Sequence, residues 1–233
     1  MINSDFQNEA LEKLALIDRY NSWIVSKFKK HLKGDILELG SGLGNITNRL
    51  LKNGHNITST DIDRKYLSTL KKINRNTKFL DIENLGNKKV YKYDTIIAIN
   101  VIEHIKDDEK VFRNSYKLLN SKGIFIVLVP AHKFLFGSYD VLADHKRRYS
   151  ISEMEKKLKK AGFKIREIGY YNKISAIAWF LNARVLKSKS FSKSQLSLVN
   201  LLVPLIDALD SVIPFNFGMS LICIAEKKAK DGI

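Results

Sequence analysis

The chain of 233 residues has one cysteine, Cys223. A lone thiol cannot close an internal disulfide, so a reducing, cytoplasmic setting is expected. Prolines number three and glycines twelve, which excludes a long Pro/Gly-rich linker. No run reaches the roughly 18 apolar residues that cross a bilayer. The longest suspect, 174–186, is interrupted by Asn182 and Arg184. Residues 1–10 are too polar and acidic for a secretory signal. Acids are also in deficit, 24 against 40 Lys and Arg, for a net charge of +16. The excess is densest in 144–166, with nine Lys and Arg against three acids. A basic surface suits nucleic acid, anionic lipid or an anionic small substrate; a lysine-rich solvated surface is the plainer alternative.

Short apolar runs alternate with helical patterns. Strands are expected at 35–39, 56–60, 78–80, 93–99, 124–129, 163–170 and 220–226. Helices are expected at 7–31, 46–51, 65–73, 107–119 and 152–161, the last capped by Ser150 or Ser152. Such alternation predicts an α/β fold, a doubly wound and mostly parallel sheet with helices on both faces. Ligands of such sheets sit at the carboxyl ends of the strands, so residues just after each strand carry the functional weight. The reading is one domain over 1–233. It comprises a helical cap (1–33), a core (34–170) with a lid (130–149), a helical insertion (171–218), and a last strand with tail (219–233).

Four places carry chemistry. After the first strand comes Glu38-Leu39-Gly40-Ser41-Gly42-Leu43-Gly44, where glycines permit a sharp turn and close approach to a ligand. Asp61 ends the second strand, where a carboxylate can accept two ribose hydroxyls. Asp81 ends the third and can accept from an adenine amino group; capping a turn is the plainer role of either acid. The fourth strand leads into Asn100-Val101-Ile102-Glu103-His104-Ile105, with His104 as a candidate base. The fifth leads into an aromatic, basic segment containing His132, Asp140, Asp144, His145, Arg147, Arg148 and Tyr149. This segment either contacts a polar acceptor or forms a lid whose arginines pair with Asp140 and Asp144. The Asn/Asp-Pro-Pro-aromatic turn of amino-directed nucleic-acid methyltransferases is missing. Cys223, in the last strand, is placed in the core and not as a nucleophile.

Together the glycine turn, Asp61, Asp81 and the Glu103-His104 turn resemble the class I S-adenosylmethionine-dependent methyltransferase superfamily. Val129-Pro130-Ala131-His132, Leu135-Phe136-Gly137-Ser138-x-Asp140, His145-x-Arg147-Arg148-Tyr149, Pro214-Phe215-x-Phe217-Gly218-x-Ser220-Leu221 and Arg19-Tyr20-Asn21-x-Trp23 resemble, more narrowly, a subgroup associated with glycosyltransferases of surface-glycan pathways. Ala143-Asp144 departs from that pattern, which has a glycine before the histidine. The resemblance implies a seven-stranded sheet of order 3-2-1-4-5-7-6 with the last strand antiparallel. It implies S-adenosylmethionine as cofactor, held by Glu38, Gly40, Ser41, Gly42, Gly44, Asp61, Ile62, Asp81 and Asn100. The expected reaction is methylation of an oxygen on a sugar, sugar acid or lipid-linked glycan. His145 is preferred over His104 and His132 as base, and Tyr20, Asp140, Arg147, Arg148 and Tyr149 are expected to face the acceptor. No metal is assigned. Nucleic-acid, quinone-type or lipid acceptors and a non-catalytic cofactor-binding subunit are the competing readings. The apolar, basic insertion, whose second apolar stretch, 198–209, is read as broken by Pro204, suits peripheral contact with an anionic membrane, against packing on the sheet or a homodimer contact.

Overall fold

The computed structural model describes residues 12, 17–86, 91–187, 192–212 and 216–229. The apolar runs form strands: β1 (Ile36–Leu39), β2 (Ile57–Asp61), β3 (Thr77–Phe79), β4 (Tyr93–Ile99), β5 (Leu119–Pro130), β6 (Phe163–Tyr171) and β7 (Ser220–Lys227). β1 and β2 are buried along their whole length, and β5 from Gly123 onward. Burial on both faces is what a parallel sheet between two helix layers demands. The order across the sheet is β3-β2-β1-β4-β5-β7-β6, with β7 antiparallel to both neighbours, as the resemblance implies.

The helices are α1 (Asp18–Phe28), α2 (Asn45–Lys52), α3 (Arg64–Ile73), α4 (Asp108–Leu118), α5 (Ser138–Leu142), α6 (Ile151–Lys160), α7 (Lys173–Trp179) and α8 (Lys193–Val212). A π-helical turn, Phe180–Val185, extends α7. Short polar side chains fix several starts: Asp63 accepts from the Lys65 N–H, Asp107 from Lys110 and Ser150 from Glu153. One core, including Phe112, Phe125, Met154 and Phe163, fills one side of the sheet. The other is built from Trp23, Phe28, Leu50, Ile126, Val203 and Ile206.

Three expectations are corrected. The fourth helix ends at Leu118 and β5 begins at Leu119; a register shift between Tyr93 and Thr95 accommodates residues 120–123. β3 ends at Phe79, so Asp81 lies two residues beyond the strand. Pro204, read as a break, lies inside the continuous helix α8. Its neighbours Val203 and Ile206 are buried, and that packing offsets the lost backbone donor. Of the expected helix 7–31, the part before Ile17 lies outside the described residues apart from Glu12, as do Pro214 and Phe215.

The lid leaves and rejoins the sheet at one place. Tyr149 N–H donates to the Pro130 carbonyl and His132 N–H to the Tyr149 carbonyl, both at 2.9 Å. Helix α8 is tied to α1 by the Trp23 indole on Asp207, 2.8 Å, and by the Tyr20 N–H on Asn200, 3.2 Å. Asp210 of α8 caps α7 through the Lys173 N–H, 2.8 Å. Beneath this seam Gly218 is obligatory, because a Cβ there would lie 2.4 Å from the Tyr171 carbonyl oxygen.

Candidate cofactor and acceptor site

β1 ends by delivering Glu38 and then turns on Gly40, Gly42 and Gly44, whose φ angles are +61°, +52° and +83°. Only glycine adopts such angles without strain. A Cβ on Gly40 would also come within 2.6 Å of the Val101 side chain, so the turn after β1 and the turn after β4 touch. Ser41 staples the turn to β2: its N–H donates to the Thr60 carbonyl at 2.8 Å, and its hydroxyl accepts from the Thr60 N–H at 3.1 Å. Glu38 is 3% exposed and accepts from the Thr47 hydroxyl. Burial, opposed by the Thr47 and Ser41 hydroxyls, pushes its carboxyl up to about 7.

Asp61 closes β2. It accepts the N–H groups of Gly42 and Asp63, each at 2.9 Å, yet burial still holds its carboxyl above the ordinary range. The next residue, Ile62, is 60% exposed, an apolar surface at the strand's end with nothing over it. Asp81 accepts from the Glu83 N–H at 2.9 Å and the Asn84 N–H at 3.2 Å, so it does serve as a turn cap. Asn100, after β4, is exposed with φ +53°. These residues lie at or just past the carboxyl ends of β3, β2, β1 and β4, which are neighbours in that order across the sheet. A hollow lined by Asp35, Asn56, Asn76, Lys78 and Tyr91 lies at the opposite, amino edge.

The lid is held from inside. Asp140, fully buried, accepts from the Gly137 N–H at 2.9 Å, from Arg148 Nε at 2.9 Å and from His145 Nδ1 at 2.7 Å. Arg148 is 1% exposed, donates to the Ala131 carbonyl at 3.1 Å and lies 4.7 Å from the Trp179 ring centre. Tyr149 is buried and donates to Asp108 at 2.8 Å, and Arg147 pairs with Asp108 at 3.0 Å. Asp140, Arg148 and Tyr149 are therefore the frame of the lid, which corrects their assignment to the acceptor. The expected pairing of arginines with lid acids holds for Arg148 and Asp140. Arg147 instead takes Asp108, while Asp144 takes Lys146 at 2.6 Å. Asp144 sits at φ +59°, which is why a glycine belongs in the pattern there; aspartate tolerates that conformation better than most residues. Tyr20 lies in the seam between α1 and α8, with its ring 5.6 Å from Trp23 and its hydroxyl near the Asn172 amide at 3.5 Å.

The three candidate histidines separate. His132 is wedged between Tyr170, 4.2 Å away, and Phe217, 4.9 Å away, and its Nε2 accepts the Gly218 N–H at 3.4 Å. It packs among aromatic rings, with Nε2 taken up by the main chain. His104 and His145 meet edge to face at 4.7 Å, although 41 positions apart. His145 turns Nε2 toward Glu103, 4.0 Å from Oε1. Burial and the neighbouring His145 lower His104 to about 4. Glu103 is fully buried, neither carboxyl oxygen has a hydrogen-bond partner, and burial raises it to about 7. Sequence reasoning passed over Glu103. The signal was its position beside His104, just past a strongly apolar strand.

A family model described as a methyltransferase domain matches residues 11–168. A ubiquinone biosynthesis O-methyltransferase of Rickettsia bellii is 31% identical over 116 residues, 46% of this chain and 48% of that one. The chain thus spans about half the length of the curated relatives it matches. A crystal structure of an S-adenosylmethionine-dependent methyltransferase from Thermotoga maritima superimposes with a TM-score of 0.66 at 17% identity, covering 94% of this chain and 96% of that one. Phosphoethanolamine N-methyltransferase 2 of Haemonchus contortus, in complex with S-adenosylmethionine, gives 0.58 at 16%, covering 90% and 53%. At such identities these two likenesses concern the fold. The residues present fit the cofactor: a glycine cradle without room for a Cβ, a buried carboxylate, a strand-end aspartate and a bare isoleucine beside it. The chain belongs to the methyltransferase-domain family and, with it, to the class I S-adenosylmethionine-dependent methyltransferases.

Proposed function

We propose that this chain methylates a hydroxyl oxygen of a small or lipid-carried acceptor. The observation that carries the reading is the meeting of Glu103, His104 and His145 at the carboxyl end of β4, where open α/β sheets place their ligands. S-adenosylmethionine supplies a methyl group on a sulfonium sulfur. Glu38 orients its ammonium, the 40–44 backbone lines the methionine part, Asp61 takes the ribose, Ile62 covers the adenine and Asp81 takes its amino group. Much of the acceleration comes from holding the acceptor in line. An oxygen acceptor must also lose its proton, and the three side chains after β4 are the groups on that side able to assist.

Two acceptor classes compete. The subgroup resemblance favours a sugar, sugar acid or lipid-linked glycan. The Rickettsia relatives, named for ubiquinone biosynthesis, favour a quinone-type molecule. One feature favours a lipid-carried acceptor in either class. Ile177, Leu181 and Val185 on the α7 segment, with Leu198, Leu201 and Leu205 on α8, are each at least half exposed. Arg184 and Lys187 lie beside them in sequence, which supports peripheral attachment to an anionic membrane on its cytoplasmic side. Among the described residues no helix is long and apolar enough to cross a membrane. Only the net charge favours RNA.

Labelled cofactor incubated with total RNA and, separately, with a membrane-lipid extract tests the reading. Label in lipid-extractable material is expected. Label confined to RNA would move the protein to nucleic-acid chemistry. Binding of S-adenosylhomocysteine with no transfer to any extract would make it a non-catalytic cofactor-binding subunit.

A further inference from the structure

We propose that Glu103, His104 and His145 bind a divalent transition cation of the zinc type, and that this cation receives the acceptor's hydroxyl oxygen. The second clause rests on the O-methylation reading; the first does not. One ligand atom from each of the three side chains lies within 4.8 Å of the others. Both Glu103 oxygens are buried and have no hydrogen-bond partner, with His145 Nε2 4.0 Å from Oε1, so a cation held there would engage a carboxyl group that hydrogen bonds leave unsatisfied. Arg148 does not hydrogen-bond to it: Nε goes to Asp140 and Nη1 to Ala131, Nη2 has no hydrogen-bond partner, and the Arg148 charge reaches Glu103 only through space.

The histidines are prepared as ligands. Asp140 accepts from His145 Nδ1 at 2.7 Å, which fixes the ring and leaves Nε2 as the atom turned toward Glu103. A carboxylate behind a ligating imidazole is a recurrent arrangement in metal sites, where it fixes both tautomer and ring orientation. His104 is hydrogen-bonded to the main chain at Ala143 and Asp144. Two imidazoles and one carboxylate suit zinc or cobalt better than magnesium or calcium, which prefer all-oxygen shells. Bonds to zinc are about 2.0–2.2 Å, so the ligands must draw together by about 1 Å on binding. Glu103 and His104 come from the turn after β4 and His145 from the lid, so the cation would staple the lid to the sheet.

Three protein ligands leave a coordination position open, the pattern of catalytic zinc sites. An alcohol or phenol bound there becomes more acidic. Its proton passes to water, and an oxygen lone pair forms the bond to the methyl carbon. The carbon–sulfur bond breaks with its electrons kept on sulfur, giving a methyl ether, S-adenosylhomocysteine and a proton. The loop is already beside the cofactor turn, since Val101 packs on Gly40.

The test is titration of tag-free protein with Co²⁺, followed by visible absorption and thermal unfolding, without cofactor or acceptor. Uptake of one equivalent is expected, with ligand-field bands of four- or five-coordinate cobalt, displacement by Zn²⁺ and a rise in melting temperature. Glu103→Gln and His145→Ala should each lose the bands, while His55→Ala keeps them. Far-UV circular dichroism and S-adenosylhomocysteine calorimetry on each variant check that it is folded. Absence of bands in the wild type, or bands unchanged in a folded His145→Ala, would overturn the proposal. S-adenosylhomocysteine binding without cobalt uptake would leave the methyltransferase reading standing. Cobalt uptake without label transfer would remove only the acceptor clause.

Discussion

At the scale of single residues, Glu38 shows how burial sets both a cost and a function. Its carboxyl titrates near about 7 in the folded chain because it is desolvated, against about 4.3 when unfolded. The folded state therefore holds the proton more tightly, and stability falls as pH rises from the unfolded value through the folded one. Glu38→Gln removes that dependence. Relative to wild type it should gain about 3 kcal/mol between about pH 5 and pH 8, read by urea unfolding at the two pH values. The same substitution should weaken S-adenosylhomocysteine by roughly tenfold or more, since a charged hydrogen bond is worth ~1.5–3 kcal/mol. In the wild type that affinity should climb as pH passes upward through about 7, because the ligand's ammonium selects the ionised carboxylate. A flat profile would place the ammonium elsewhere. Glu38 and the glycines were legible in sequence because a strand-turn-helix junction needs those residue types locally. Glu103 was not, because its lack of partners depends on what the lid does 37 to 45 positions later, from Asp140 to Arg148.

At the scale of elements, the insertion and the lid form one device. The Trp179 indole N–H donates to the Leu135 carbonyl at 3.1 Å, its ring meets Tyr139 at 5.1 Å, and the buried Arg148 lies over it. A Cβ on Gly137 would fall 2.7 Å from the Ala183 carbonyl oxygen, so the lid backbone rests directly on the π-helical turn. Trp179→Ala should cost about 2–4 kcal/mol of stability and expose the 130–149 segment to proteolysis. It should raise KM for the acceptor while leaving S-adenosylhomocysteine affinity within about twofold, because Leu135, Tyr139 and Arg148, which Trp179 supports, all belong to the lid. Equal losses in both would mean that the insertion supports the whole site. Strands and most helices were readable from periodicity and caps. The end of α4 was not, because a sheet register shift decided it, and neither was α8 through Pro204, because its partners on α1 decided it.

At the scale of the whole molecule, charge and apolar surface are the unspent features. Ion pairs such as Lys30 with Glu167 and Lys160 with Glu109 occupy some lysines, but a net +16 means that the 24 acids cannot match all 40 Lys and Arg. One face of α8 is packed, through Val203 and Ile206, while Leu198, Leu201 and Leu205 point outward. The packing and membrane readings of this helix therefore apply to different faces of it. Leu201→Ser combined with Leu205→Ser should lower pelleting with anionic vesicles several-fold and leave the melting temperature nearly unchanged, since both side chains are already in water. Pelleting of the wild type should fall at high salt and with neutral vesicles. Equal, negligible pelleting throughout, with a concentration-dependent dimer in sedimentation, would assign the face to a second copy of the chain.

The sequence by itself determined the α/β class, the strand-end positions of Glu38, Asp61 and Asn100, and the glycine turn. Each follows from local periodicity, backbone conformation and the rule that such sheets bind at their carboxyl ends. Only the tertiary structure decided which histidine packs and which faces the site. It turned Arg148 and Tyr149 inward, and it set a carboxyl group without hydrogen-bond partners beside two imidazoles. Those outcomes depend on where a lid of twenty residues, closed on itself at Pro130 and Tyr149, lays its side chains against the turn after β4. Sequence separation carries no information about that contact, whereas burial and hydrogen-bond satisfaction do.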